Sequence, residues 1–296
     1  MNSEIRNPQS AITNRDLPIG IFDSGVGGLT VYRALHERLP EEHFVYLGDT
    51  ARVPYGTKSL STVERYGIEN AKFLEAHGIK LLVVACNTAS ALALPAIRDA
   101  VGVEVIGVIE PGARAATAIA AGKKIAVIAT EATVQSGAYA NAIAAIDPLI
   151  EVIERACPLF VPLAEEGWAE TDVARAVAEQ YLNDLRNRDI GALVLGCTHY
   201  PILRELISGV LGGEVALIDS GAAAASEVQA LLEANGLSSA RPLRDIQERQ
   251  LCDDLDHFYV TDAAERFAKV AERFLGTVPS VLEAVEVWGH DELRTY

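Results

Sequence analysis

Seven short apolar runs, at 18–22, 44–47, 81–85, 103–108, 124–129, 192–195 and 215–218, recur along the chain with little polar–apolar alternation. Runs that are apolar on both faces read as strands covered on both sides, which is how parallel sheets flanked by helices are built. Stretches with helical periodicity separate them, at 29–38, 60–77, 172–185 and 203–210. Strands alternating with helices predict an α/β architecture of parallel sheets. With 296 residues, half of them apolar, the chain has the length for two such units and the material for a substantial core.

The runs also repeat one another. Segment 82–88, LVVACNT, resembles 193–199, LVLGCTH: each reads as a strand, a cysteine, then polar residues where a helix begins. Downstream, 105–113 (VIGVIEPGA) resembles 215–222 (VALIDSGA), and upstream, 19–25 (IGIFDSG) has a partner in 125–130 (IAVIAT). Glu110 follows Cys86 by 24 positions and Asp219 follows Cys197 by 22, while Asp23 precedes Cys86 by 63 and Thr130 precedes Cys197 by 67. Chance likeness among apolar strands competes with this reading, but three landmarks in one order predict two similar units. Facing each other, they would bring equivalent strand ends to a single cleft.

Charge and leader signals narrow the function classes. A net charge of −16 disfavours sequence-independent binding to nucleic acid or to an anionic membrane. Residues 1–16 are polar, lack the apolar core of a secretory signal, and read as a flexible extension. The longest uncharged stretch, 81–97, contains Asn87, Thr88 and Ser90 and is short for a membrane span. A soluble, cytoplasmic chain is the expectation. Of four cysteines, none forms a C-x-x-C pair, no metal-ligand spacing stands out, and disulfides are not expected in a reducing compartment. Cys157, before Pro158, and Cys252, in an acidic segment, read as small buried residues.

In open parallel sheets, ligands bind beyond the carboxyl ends of the strands, and every polar cluster of interest falls there. Asp23-Ser24-Gly25-Val26-Gly27-Gly28 follows the first strand, and Gly48-Asp49-Thr50 with Pro54-Tyr55-Gly56 follows the second. The glycine turn has neither the G-x-G-x-x-G spacing nor a P-loop lysine, so it reads as a tight turn or as backbone N–H donors for a carboxylate. Asp49 is expected to cap its turn. Cys86 and Cys197 are placed where helices begin, and a helix N-terminus is expected to draw a thiol pKa down toward neutrality. Two thiols across one cleft could form a redox couple. Alternatively, one is a base and the other an acid on opposite faces of a carbon, the layout that inverts a stereocentre. Asp23 and His199 could then take up the thiol protons.

Five ordered motifs, IFDSGVGGLTV (21–31), YLGDTARVPYG (46–56), ACNTAS (85–90), CPLFVPLAE (157–165) and LGCTHYP (195–201), resemble those of the glutamate racemase family, in the aspartate/glutamate racemase superfamily. The likeness runs from about residue 18 through 221. It implies two flavodoxin-like α/β domains, with the active site in the cleft between them. The first would be discontinuous, 17–112 plus 222–276, and the second 113–221. No strand-rich block is evident after residue 221. The resemblance further implies Cys86 and Cys197 as acid/base pair without pyridoxal phosphate or metal, assisted by Asp23 and His199 respectively, with Glu165 as a further acidic partner. Ser24, Tyr55, Gly56, Asn87, Thr88 and Thr198, with Asp23 and His199, would hold the substrate. By the same resemblance, Cys86 takes the α-proton of D-glutamate and Cys197 that of L-glutamate. The product would supply peptidoglycan synthesis, and so cell wall and cell shape, in a bacterial cytoplasm. The expected partner is glutamate, with no nucleic acid or membrane, in a homodimer. A racemase of aspartate or a related acid is the nearest alternative, because one methylene of pocket length is worth only about 1–3 kcal/mol. A non-catalytic small-molecule binding module and a dithiol redox protein are the others.

Overall fold

The computed structural model describes residues 14–240 and 249–288. Within them lie ten strands: β1 (Ile19–Asp23), β2 (Phe44–Gly48), β3 (Leu81–Val84), β4 (Glu104–Gly107), β5 (Lys124–Ala129), β6 (Val152–Ala156), β7 (Ile190–Gly196), β8 (Ala216–Asp219), β9 (His257–Val260) and β10 (Leu282–Ala284). They form a six-stranded sheet, in the order β10-β9-β2-β1-β3-β4, and a four-stranded sheet, β6-β5-β7-β8. Every pairing is parallel. The chain is α/β, as its alternation of apolar runs requires.

Each of the seven apolar runs is a strand. In the first sheet, Ile21 on β1 lies opposite Tyr46 on β2 and Val83 on β3. These strands are buried along their whole length. Fully burying a Val, Leu or Ile side chain contributes about 1.5–3 kcal/mol, so the register that keeps these residues dry is strongly selected. Twelve helices cover the sheets among the described residues. Those that matter below are α1 (Leu29–Arg38), α2 (Leu60–Ala76), α3 (Asn87–Leu92), α4 (Leu94–Ala100), α5 (Ile109–Ala120), α6 (Glu131–Ser136), α7 (Ala138–Ile146), α8 (Phe160–Glu165), α9 (Asp172–Leu182), α10 (Arg204–Leu211), α11 (Ser220–Asn235) and α12 (Ala264–Leu275).

The internal repeat has a topological counterpart. The order β2-β1-β3-β4 in one sheet matches β6-β5-β7-β8 in the other, so β3 with Cys86 and β7 with Cys197 occupy the same place. Three strands escaped the sequence reading. β6 (VIERA) is a half-buried edge strand, and β9 (HFYV) and β10 (LEA) are short and partly exposed. β9 and β10 are the two short strands after residue 221, where the sequence shows no strand-rich block, and they extend the first sheet beyond β2. Of the N-terminal extension, 14–16 form a single 3-10 turn whose Arg15 carbonyl accepts from Lys80 Nζ at 2.8 Å. Residues 1–13 lie outside the described residues. Cys157 and Cys252 are buried free thiols.

Candidate active site

Four strand ends converge on one cavity. β1 ends at Asp23, β3 leads into Cys86, β5 into Thr130 and β7 into Cys197. The cavity has a volume of about 70 Å³. From the first sheet it is lined by Ser24, Gly25, Tyr55, Gly56, Cys86, Asn87 and Thr88, and from the second by Thr130, Glu165, Cys197, Thr198 and His199. All site residues singled out in the sequence line it except Asp23, which sits buried behind the wall. Thr130, outside the expected set, joins them; its echo of Asp23 at the end of the matching strand was the available signal.

On the first side, Cys86 is the N-cap residue of α3 and donates through Sγ to Ser24 Oγ at 3.3 Å. Asp23 Oδ2 accepts the Gly25 N–H at 2.9 Å, while its Oδ1 is buried without a hydrogen-bond partner. Burial raises the Asp23 pKa above its ordinary range, against the pull of His199 and the Gly28, Gly25 and Ser24 amides. The expected lowering of the Cys86 pKa is not found. Burial first, and the Asp23 charge second, push the thiol up to about 12, outweighing Ser24 and the Ala89 amide. α3 is only six residues long, and one turn's dipole does not offset removal from water.

On the second side, the helix expected at Cys197 is absent. The chain passes through a 3-10 turn at Tyr200–Leu203 before α10 starts. The Cys197 sulfur instead meets His199 Nδ1 at 3.8 Å, and His199 Nε2 meets Glu165 Oε1 at 3.0 Å. Burial works against an imidazolium here, but the bonds to Cys197 and Glu165 overcome it and hold His199 up at about 10. Glu165 is itself held below the usual carboxylate range: burial opposes, and His199 and Arg266 prevail. Glu165 closes α8 at its C-terminal end.

The two sides meet closely. A Cβ on Gly27 would fall 2.2 Å from Thr198 Oγ1 and 2.5 Å from the His199 ring, and one on Gly28 would fall 2.5 Å from the Asp23 Cβ. The glycine turn is therefore glycine for want of space. Thr30 Oγ1 on α1 donates to the Thr198 carbonyl at 2.8 Å. Thr88 Oγ1 lies 3.0 Å from Thr130 Oγ1 and 3.2 Å from Thr133 Oγ1, tying α3 to α6. Asn87 Oδ1 accepts from Tyr139 on α7 at 2.7 Å, leaving its buried Nδ2 without a protein partner.

Tyr55 lines the cavity, yet its hydroxyl is committed elsewhere: it donates to Asp49 Oδ2 and accepts from Asn70 Nδ2 at 3.0 Å. Asp49 makes no side-chain cap to its turn, contrary to expectation. Its buried carboxylate gathers Arg52 at 2.7 Å and Thr261 at 3.0 Å, a hub that supports the 53–56 loop at the cavity.

Two parallel-sheet units that bring a buried thiol each to one small cavity, one backed by a carboxylate and the other by an imidazole, define a class of acid/base enzyme that works from two faces. The family described as Asp/Glu/Hydantoin racemase matches residues 19–228. The chain is similar to glutamate racemase of Geobacter metallireducens, 52% identical over 258 residues, which is 87% of this chain and 92% of that protein. Its fold is similar to the crystal structure of glutamate racemase from Francisella tularensis in complex with D-glutamate, with a TM-score of 0.83 at 39% identity, covering 92% of this chain and 98% of that one. The Thermus thermophilus glutamate racemase structure aligns at a TM-score of 0.81 and 46% identity, over 93% of this chain and 98% of that one. The chain belongs to the Asp/Glu/Hydantoin racemase family.

Proposed function

We propose that this chain interconverts L-glutamate and D-glutamate by proton transfer at the α-carbon between Cys86 and Cys197, supplying D-glutamate for peptidoglycan synthesis in a bacterial cytoplasm. The observation that carries the reading is the convergence of both thiols, from corresponding strand ends, on one cavity. One thiolate removes the α-proton, and the thiol on the opposite face returns a proton to the carbanion, so the stereocentre inverts and the enzyme ends in the reverse protonation state. Asp23 and His199 serve as proton partners of Cys86 and Cys197, with Glu165 fixing the imidazole. Asn87 Nδ2, buried and unpaired, is a donor suited to a substrate carboxylate, beside the hydroxyls of Ser24, Thr88, Thr198 and Thr130. Tyr55 and Gly56 contribute shape rather than a hydroxyl bond.

The discontinuous first domain, 17–112 plus 222–276, and the second, 113–221, belong to this proposal, as does a homodimer with glutamate as the small-molecule partner. No helix among the described residues is long and apolar enough to cross a membrane. The test is purified, dialysed protein incubated with L-glutamate and, side by side, L-aspartate, followed by optical rotation. Decay to zero with glutamate is expected, and persistent rotation would end the reading. Activity should survive exhaustive chelation, since the two thiols already fill both proton-transfer roles.

A further inference from the structure

The C-terminal helix α12 stands outside the site yet touches its acid/base machinery. Arg266, Arg273 and Phe274 are spaced by seven and one, which puts all three on one face of the helix. Arg266 Nη2 lies 3.3 Å from Glu165 Oε2, whose other oxygen holds His199 Nε2. Arg273 donates to the main-chain carbonyl of Glu165, the last residue of α8, where a helix end leaves carbonyls in need of donors. The Phe274 ring meets the His199 imidazole edge-on, with centroids 5.9 Å apart at 86°. Elsewhere α12 is bound to the body of the first sheet: Phe267 packs on Tyr46 of β2, and Arg33 of α1 donates to the Phe274 carbonyl.

A helix anchored on the first sheet therefore holds one carboxylate oxygen and the main-chain carbonyl of Glu165, a residue of the second unit. Neither Arg266 nor Arg273 lines the cavity. We propose that α12 is the positioning element of the Cys197 side: Arg266 and Arg273 fix Glu165, Glu165 fixes the His199 ring, and the ring keeps Nδ1 on the Cys197 sulfur. The proposal rests on the racemase reading above. Cys86, with Ser24 and Asp23, makes no contact with this helix face in the bonds described. The positioning is thus one-sided, and it exists only while the two sheets are closed on each other.

The experiment uses elimination from the L- and D-forms of a glutamate analogue with chloride on the β-carbon. Base removal of the α-proton, with loss of chloride, needs one thiol only. The Cys197→Ala variant identifies the enantiomer served by Cys197. In the full chain carrying Arg266→Ala and Arg273→Ala, elimination from that enantiomer should slow about ten-fold, the scale of a lost charge-assisted contact, while the other enantiomer stays within about two-fold. Arg266→Lys with Arg273→Lys should recover most of the lost rate. Equal loss on both enantiomers, or no loss on the Cys197-dependent one, overturns the proposal. If the double alanine variant fails to fold, Arg266→Gln alone carries the same expectation, since its side chain is 66% exposed and little packing is removed. Wild-type protein that does not racemise glutamate would refute the underlying reading instead, so the two failures are distinguishable.

Discussion

Cys86 and Cys197 stand at corresponding strand ends of two sheets with the same strand order, and their surroundings are chemically opposite. Cys86 faces a buried carboxylate with one unsatisfied oxygen, and burial pushes its thiol up to about 12. Cys197 faces an imidazole that two partners hold up at about 10, which offers a thiolate a counter-charge. One repeat of the fold has been fitted with a carboxyl group behind its thiol and the other with an imidazole. The lesson is that the fold sets where the thiols stand, while their neighbours set the chemical surroundings each one meets.

The largest effects should come from the thiols themselves. Cys86→Ala and Cys197→Ala should each lower racemisation by about a thousand-fold or more, because inversion needs both. Each variant should still eliminate from one enantiomer of the β-chloro analogue: Cys86→Ala from L, Cys197→Ala from D. Equal loss on both would break the two-sided comparison, and the opposite selectivity would swap the roles.

Next comes Gly27→Ala, whose methyl has no room beside Thr198 and His199. Displacing these by a few tenths of an ångström or more should cost about a hundred-fold in kcat/KM, with the loss concentrated on the Cys197-dependent enantiomer in the elimination assay. An unimpaired variant would show that the close approach is dispensable.

The partners of the two thiols should then separate by sign. Because the folded Asp23 has a raised pKa, the native chain holds its proton more tightly, and stability falls as pH rises from 3.8 through the raised value. Asp23→Asn should therefore raise the melting temperature at pH 7 while lowering kcat about ten- to hundred-fold. His199 runs in the same direction over a higher window, so near neutrality it still stabilises: its contribution is whole below pH 6.5 and is lost as pH climbs through about 10. His199→Gln should melt lower than wild type at pH 6, with the gap narrowing toward pH 10. Melting curves across that range check both, and shifts of the same sign would erase the contrast.

The smallest effect belongs to Tyr55→Phe. Its hydroxyl serves Asp49 and Asn70 rather than the cavity, so KM for glutamate should change by less than about three-fold, with a modest loss of thermal stability from the lost hydrogen bond to the Asp49 carboxylate. A tenfold rise in KM would return the hydroxyl to the substrate.

Much of this arrangement was readable in the residues. The buried strands announce themselves because parallel sheets need unbroken apolar runs, and the two cysteines because the repeat sets them at equal positions. β6, β9 and β10 stayed hidden: an edge strand can carry Glu154 and Arg155, and three or four residues carry too little pattern. The Cys86 pKa was misjudged because a helix start is visible in sequence while the depth of burial is not. Glu165 came only through family likeness, since its pairing with His199 spans 34 positions and two elements. The role of α12 left no local signature at all, because Arg266 and Arg273 look like any charged helix face.

Mirror-image substrates have equal free energies in water, so kcat/KM must be the same in both directions however differently Asp23 and the His199–Glu165 pair behave. The unequal company of the two thiols can therefore surface only in the separate values of kcat and KM, the hand held more loosely being turned over faster in proportion.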